Sequence, residues 1–300
     1  MQKLYGGIEA GGTKFVCMVA SSPEAVIEET RFPTTTPAET IQKAADFFRS
    51  TVQRGELKAI GIGSFGPVDL DPRSPTYGFI TTTPKPGWAF ADLCGGIHRE
   101  LGVPIAFDTD VNAAAFGEHF WIEKNHGLDP FLYMTVGTGI GMGGLVNGKT
   151  LHGLIHPEAG HMFIPHDREA DPFPGMCPYH GDCLEGLASG PALARRWGQP
   201  AETLADEHPA WDLEAEYLAS ALANLVLAFS PQRIVLGGGV PQHPGLLDLI
   251  RMKVRRHLNG YVKSDLVEKR IEELILAPAL GSRAGVLGAI AMAVESNKEQ

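Results

Sequence analysis

The sequence predicts an α/β protein whose two halves each open on the same strand module. Strand-like and helix-like segments alternate along all 300 residues. An apolar strand, a Gly/Thr turn and a second apolar strand occur twice, in LYGGIEAGGTKFVCMVA and FLYMTVGTGIGMGGLV, which reads as an internal duplication. A further strand, RIVLGGGV, also runs into a glycine turn.

The elements follow in order. After the first two strands, residues 25–32 form a third. Thr36 is placed to cap a helix, with Pro37 at its first position and Glu39 completing a capping box; the helix should run to about Val52. AIGIGS is a short strand buried on both faces. The Pro-, Gly- and Thr-rich stretch from Gly66 to Trp88 is a long loop with aromatics and few charges, a composition that favours function. A helix ending near Gly102, the strand IAFD and a helix over 112–120 complete the first half. The second unit begins near Phe131. It continues through a His/Cys-rich loop, helices over 191–197 and 213–229, the strand RIVLGGGV, a helix, the strand ELILAPA and a last helix after Ser282.

Composition excludes several classes. Net charge is −10 and no Lys/Arg run or basic helix breaks it, so nothing lines up to track a nucleic-acid backbone. Four cysteines are too few for a disulfide scaffold, and Cys17 and Cys94 read as inert core thiols. The longest apolar stretch, 218–229, is interrupted by Ser220 and Asn224, so no membrane span is expected. The opening MQKLYGGIEAGG carries no charged-then-apolar leader, which sets the expectation of a cytoplasmic chain.

Three glycine turns follow apolar strands: Gly11-Gly12-Thr13-Lys14, Gly137-Thr138-Gly139, and Gly237-Gly238-Gly239. Glycine lets backbone N–H groups approach an anion, and Thr13 and Thr138 add hydroxyl donors, so a nucleotide held from two sides is expected. Gly139, Gly141 and Gly144 satisfy G-X-G-X-X-G, but a strand rather than a helix follows, against a dinucleotide fold. No Walker pattern is present. Asp110, at a strand end before a helix, is the candidate base for phosphoryl transfer; the alternatives are that it only caps the helix, or that Asp108 takes either role. Cys177, His180 and Cys183 recur every third residue, with His161 upstream. Four such ligands can close a tetrahedron around Zn²⁺, which reads as a structural site. A Cys177–Cys183 disulfide and a chance cluster are the alternatives. The flanking Glu158 and Glu185 are left free to face a polar small molecule.

EAGGTK, TDVNAAAFGE, VGTGIGMGG, the EAGH…C…C-X-E loop and LGGGV, in this order over nearly the whole chain, resemble the ROK family of sugar kinases within the actin-like ATPase superfamily. The likeness is strongest to its bacterial zinc-containing fructokinase branch. It implies two RNase H-like domains flanking a cleft, residues 1–112 plus 284–300 and residues 113–283. ATP phosphates would meet Gly11, Gly12, Thr13 and Lys14 on one side and Gly137, Thr138 and Gly139 on the other. Gly238 and Gly239 would lie near the adenosine, and Mg²⁺ would ride with the nucleotide. Asp110 would be the general base for a sugar's primary hydroxyl. Glu158, His161 and Glu185 would bind sugar hydroxyls, and Gly66, Pro67, Gly87 and Trp88 would line the acceptor pocket. His161 would serve twice, one ring nitrogen on zinc and the other on the sugar. A homodimer is implied by the likeness alone.

Three departures matter. Glu9 stands where many members have Asp, Thr109 where an Asn is usual, and His180 where many have a thiolate. All three point to the fructokinase branch. The expected activity is ATP-dependent phosphorylation of fructose to fructose 6-phosphate. The alternatives are a kinase for mannose, glucose or an N-acetylhexosamine, and a non-catalytic sugar-responsive regulator.

Overall fold

The computed structural model describes residues 3–51 and 55–298. The expected helix end at Val52 falls outside them, as do residues 1–2, 53–54 and 299–300 of the implied domain spans. In the first half, β1 (Lys3–Ala10), β2 (Lys14–Ala20) and β3 (Val26–Pro33) form an antiparallel meander. Helix α1 (Pro37–Thr51) crosses to β4 (Glu56–Ser64), and α2 (Leu93–Leu101) crosses to β5 (Ile105–Thr109). Both added strands are parallel to β1, giving the order β3-β2-β1-β4-β5.

Helix α3 (Asp110–Trp121) leads into the second half. There β6 (Phe131–Val136), β7 (Ile140–Val146) and β8 (Lys149–Thr150) repeat the meander. The His/Cys loop, α4 (Leu184–Ala188), α5 (Gly190–Trp197) and α6 (Ala210–Phe229) lead to β9 (Arg233–Gly237). Then α7 (Leu246–Leu258), α8 (Asp265–Glu268) and α9 (Ile271–Leu274) lead to β10 (Ile275–Leu276), and α10 (Ala284–Ser296) ends the fold. The second sheet runs β10-β9-β6-β7-β8, the first sheet's order strand for strand. Two RNase H-like units, expected from the family likeness, are what this repeat describes.

The glycine turns sit where β1 meets β2, β6 meets β7, and β9 ends. The second and third of these turns line cavities, and so does the β5–α3 junction. Helix α10 packs on β1 and β4, α3 packs on β6 and β7, and the two helices pack on each other. The inner strands of the first sheet are thus covered on both faces, which is why β4 is an unbroken buried run from Ala59 to Ser64 instead of an alternating one.

Local differences have local causes. Only half of the α1 capping box forms: Thr36 Oγ1 accepts from the Glu39 N–H at 3.4 Å, while the Glu39 carboxylate is taken by Thr35 Oγ1 at 2.8 Å and Lys43 Nζ at 2.7 Å. ELILAPA is mostly not strand. Its first part is the turn of α9, and β10 is a two-residue edge whose Ile275 carbonyl accepts from Arg251 Nε at 2.8 Å. Among the described residues no helix is long and apolar enough to cross a membrane.

The α3–α10 crossing depends on missing side chains. A Cβ on Gly117 would lie 2.6 Å from the Gly288 Cα, and one on Gly288 would overlap the Ala113 carbonyl. The obstacle is backbone, so it cannot rotate away. Gly288→Ala is therefore expected to destabilise the chain by about 1–3 kcal/mol, the range for overpacking a filled interior. Urea unfolding measures this, and an unchanged midpoint contradicts it.

Candidate active site

The site is built around the junction of β5 and α3. Thr109, in extended conformation, is the N-cap of α3, its hydroxyl accepting from the Asn112 N–H at 3.1 Å. Asp110 is therefore not the cap. Its Oδ1 accepts from the Val111 N–H at 2.9 Å. The rival Asp108 is consumed by structure. It accepts from the Thr109 N–H at 2.7 Å, from Asn112 Nδ2 at 2.8 Å, and pairs with His152 Nε2 at 2.9 Å. Burial pushes the Asp110 carboxyl up to about 7, with nearby Glu9 and Glu158 adding to the rise and the Val111 N–H opposing it.

Two cavities meet at this junction, and another adjoins them. The largest, about 960 Å³, is walled by Gly66 and Pro67 from the first half and by Glu158, His161 and Glu185 from the second, with Asp110 between them. Gly137, Thr138 and Gly139 continue its wall, and Gly137 and Thr138 also line a second cavity of about 780 Å³, which runs past Gly239 and the start of α5. A third, about 500 Å³, lies behind Asp110 and is lined by Glu9, Tyr133, Gly238, Gly239 and Ser282.

Two groups of expected residues stand apart from these walls. Gly87 and Trp88 do not line the acceptor cavity. Trp88 is fully buried, donates from Nε1 to the Thr35 carbonyl at 2.7 Å and packs on Phe15 and Phe65. Since Phe65 lines the cavity, Trp88 backs the wall from one layer behind. Residues 11–14 line none of the three cavities. Their turn closes on itself, with the Gly11 N–H on the Lys14 carbonyl at 3.0 Å and Thr34 Oγ1 on the Gly11 carbonyl at 2.6 Å, while Thr13 and Lys14 face solvent. Glu9, two residues earlier, does reach the cleft, and burial raises its carboxyl above the usual range.

The His/Cys loop gathers its four expected ligands. The ligand atoms of His161, Cys177, His180 and Cys183 all lie within 4.8 Å of one another. Cys177 Sγ is 3.6 Å from both His161 Nδ1 and His180 Nδ1, and Cys183 Sγ is 3.6 Å from His161 Nδ1. A tetrahedron with Zn–S of about 2.3 Å and Zn–N of about 2.05 Å has S···N edges of about 3.6 Å, so the donor set fits Zn²⁺. Cys177 and Cys183 are both free thiols. The corner is made by a turn in which Cys177 and Gly181 exchange N–H···O bonds, and the Leu184 N–H on the Met162 carbonyl at 2.9 Å ties it to the His161 segment. His161 points Nδ1 at the sulfurs, leaving Nε2 as the other ring nitrogen on a cavity-lining residue.

Cys183 is also the N-cap residue of α4, whose first turn carries Glu185. Glu185 Oε2 accepts from the Ile140 N–H at 2.9 Å, so one carboxylate touches both the acceptor cavity and the 137–139 turn. Burial, and then Glu185, raise the Glu158 carboxyl. Sequence reasoning missed Phe65, Thr82, Thr135, His156 and Tyr179, which also line the acceptor cavity. No local pattern marks them, apart from a second His, His156, two residues before Glu158.

The ROK family pattern matches residues 5–296. A fructokinase of Lactococcus lactis subsp. cremoris is 45% identical over 262 residues, covering 87% of this chain and 88% of its own. A fructokinase of Zymomonas mobilis is 42% identical over 303 residues, covering 99% of each chain. The crystal structure of a Streptomyces griseus ROK family glucokinase in complex with glucose and AMPPNP superposes with a TM-score of 0.71 at 26% identity, covering 97% of this chain and 99% of that one. With the family pattern spanning the folded chain and these relatives matching end to end, the protein belongs to the ROK family.

Proposed function

We propose that this protein is an ATP-dependent fructokinase that transfers the γ-phosphoryl group to the primary hydroxyl of fructose, making fructose 6-phosphate. The supporting observation is the place of Asp110: a carboxyl lifted to about 7, at the point where the acceptor cavity meets the cavity lined by Gly238 and Gly239. A general base is most effective when its pKa lies near working pH. The similarity to fructokinases selects the hexose. In this reading residues 1–112 with 284–300, and residues 113–283, are the two domains, and a cytoplasmic homodimer is part of the proposal.

In the acceptor cavity Glu158 and Glu185 accept from sugar hydroxyls and His161 Nε2 donates to one. The 137–139 turn offers backbone N–H groups to the phosphates, with Gly238 and Gly239 beside the adenosine. Asp110 takes the proton of the attacking hydroxyl. The hydroxyl oxygen bonds to the γ-phosphorus as the bond to the ADP oxygen breaks. A loose transition state leaves the protein mostly positioning and electrostatic work. The turn at residues 11–14 would meet the phosphates on closure of the cleft, which would also shed water. Glu9 offers a hard carboxylate oxygen suited to Mg²⁺ or its waters, and Mg²⁺ bound with ATP would neutralise phosphate charge. Zinc held by His161, Cys177, His180 and Cys183 would brace the acceptor wall and take no part in bond making.

Three outcomes test this. Asp110→Asn should lower kcat by at least ~10²-fold. It should also raise the thermal midpoint at pH 8. A carboxyl with a raised folded pKa contributes stability below its unfolded value and loses it as pH rises through the folded value, here about 7, whereas Asn stays neutral. Near-normal turnover in the variant removes Asp110 from the role. In the wild type, kcat/KM should fall in proportion to rising proton concentration below about pH 7; a flat profile down to pH 5 contradicts the assignment. Chelation of zinc should lower the unfolding midpoint, and elemental analysis finding no zinc in freshly purified protein refutes the site.

A further inference from the structure

His156 lies between the two halves of the acceptor wall and has no part in the mechanism above. Its side chain is only 5% exposed. Its Nε2 lies 3.3 Å from the Val68 backbone N–H, which has only an acceptor to meet there. Nε2 is therefore unprotonated and the ring proton sits on Nδ1. Burial lowers the affinity of this ring for a second proton, so the neutral tautomer is the resting one. Nδ1 lies 3.5 Å from Glu158 Oε1, and the Pro157 backbone also bears on the ring. The ring face lies on Gly66, where a Cβ would come within 3.2 Å of Cε1 and Nε2. Val68 in turn bridges to Ile80, which ties down the base of the long loop. One imidazole thus joins the Gly66–Pro67 wall from the first half to the Glu158 wall from the second.

We propose that His156 is the positioning residue for Glu158: Nε2 holds the start of the long loop at Val68, and the Nδ1 proton holds residues 157 and 158 so that the Glu158 carboxylate is aimed at a sugar hydroxyl. The inference rests on the sugar-kinase reading of the cavity and deepens it. It explains why a buried histidine stands beside a carboxylate that must stay ionised to accept a hydroxyl. Burial and Glu185 both work against that charge, and the ring nitrogen that carries the His156 proton lies 3.5 Å from the same carboxylate.

Asparagine and glutamine separate the two ring nitrogens. The Asn amide reproduces the donor near the Nδ1 position and cannot reach Val68; the Gln amide reaches the Nε2 position and leaves the Nδ1 position empty. Steady-state kinetics of His156→Asn and His156→Gln, with fructose and with ATP varied in turn, read the difference. His156→Gln is expected to raise KM for fructose by about tenfold while KM for ATP stays within about twofold, and His156→Asn to keep KM for fructose within about threefold of wild type. A double variant with Glu158→Gln should show no further loss beyond Glu158→Gln alone. The reverse order, equal losses, no loss in either variant, or loss of the cooperative melting transition in His156→Asn each overturn the proposal. Wild-type turnover on fructose, measured in the same series, decides the fructokinase reading separately. Where another hexose is preferred, the same comparison is made on that hexose.

Discussion

A carboxyl group recessed in a cleft is the constraint on which the rest of this structure depends. Asp110 sits at the foot of a cleft, near Glu9 and Glu158, where ionisation is costly and its proton affinity rises accordingly. That position is stable only because other residues take over the tasks an aspartate at a helix start would normally perform. Thr109 caps α3, and Asp108 fastens the end of β5 to Asn112 and to His152 of the second half. Relieved of both jobs, Asp110 accepts one bond from its neighbour's N–H and presents its carboxyl to the cavities.

The metal corner serves the same end from the opposite wall. Its four ligands come from two stretches of chain, and closing them brings His161 and Cys183 together across 22 residues. Cys183 begins α4, and α4 carries the Glu185 that holds the Ile140 N–H. A continuous set of contacts therefore runs from the sulfurs to a cavity-lining carboxylate and on to the glycine turn. In the proposed zinc form, ligation would fix the first member of that set and shape the cavity wall in advance. This reverses the usual expectation for a long loop between a strand and a helix, which would be mobile without such a brace.

Much of this was legible in the residues because it is local. Apolar runs, glycine turns, the IAFDTD junction and the C-X2-H-X2-C spacing each fit within a short window, and each reappears as a strand, a turn, Asp110 and a metal corner. The shared strand order of the two sheets follows from the duplicated hairpin. What escaped is set by partners far away in sequence. His156 gains its meaning from Val68, 88 positions earlier, and Trp88 turns inward because Thr35, 53 positions earlier, offers a carbonyl. Glu39 formed only half of its box because Thr35 and Lys43 competed for the carboxylate. The turn at residues 11–14 reads as a phosphate grip in sequence, yet in the fold it bonds to itself and to Thr34.

The role of Asp110 turns on the ionisation of one carboxyl group, and that ionisation can be followed on the group itself. Protein labelled with carbon-13 at the aspartate side-chain carboxyls, titrated by NMR and assigned by the signal missing in Asp110→Asn, reports it directly. A midpoint near 7 is expected for Asp110. A midpoint of about 4, the ordinary aspartate value, would show the carboxyl to be well solvated and would remove the physical basis for its catalytic role.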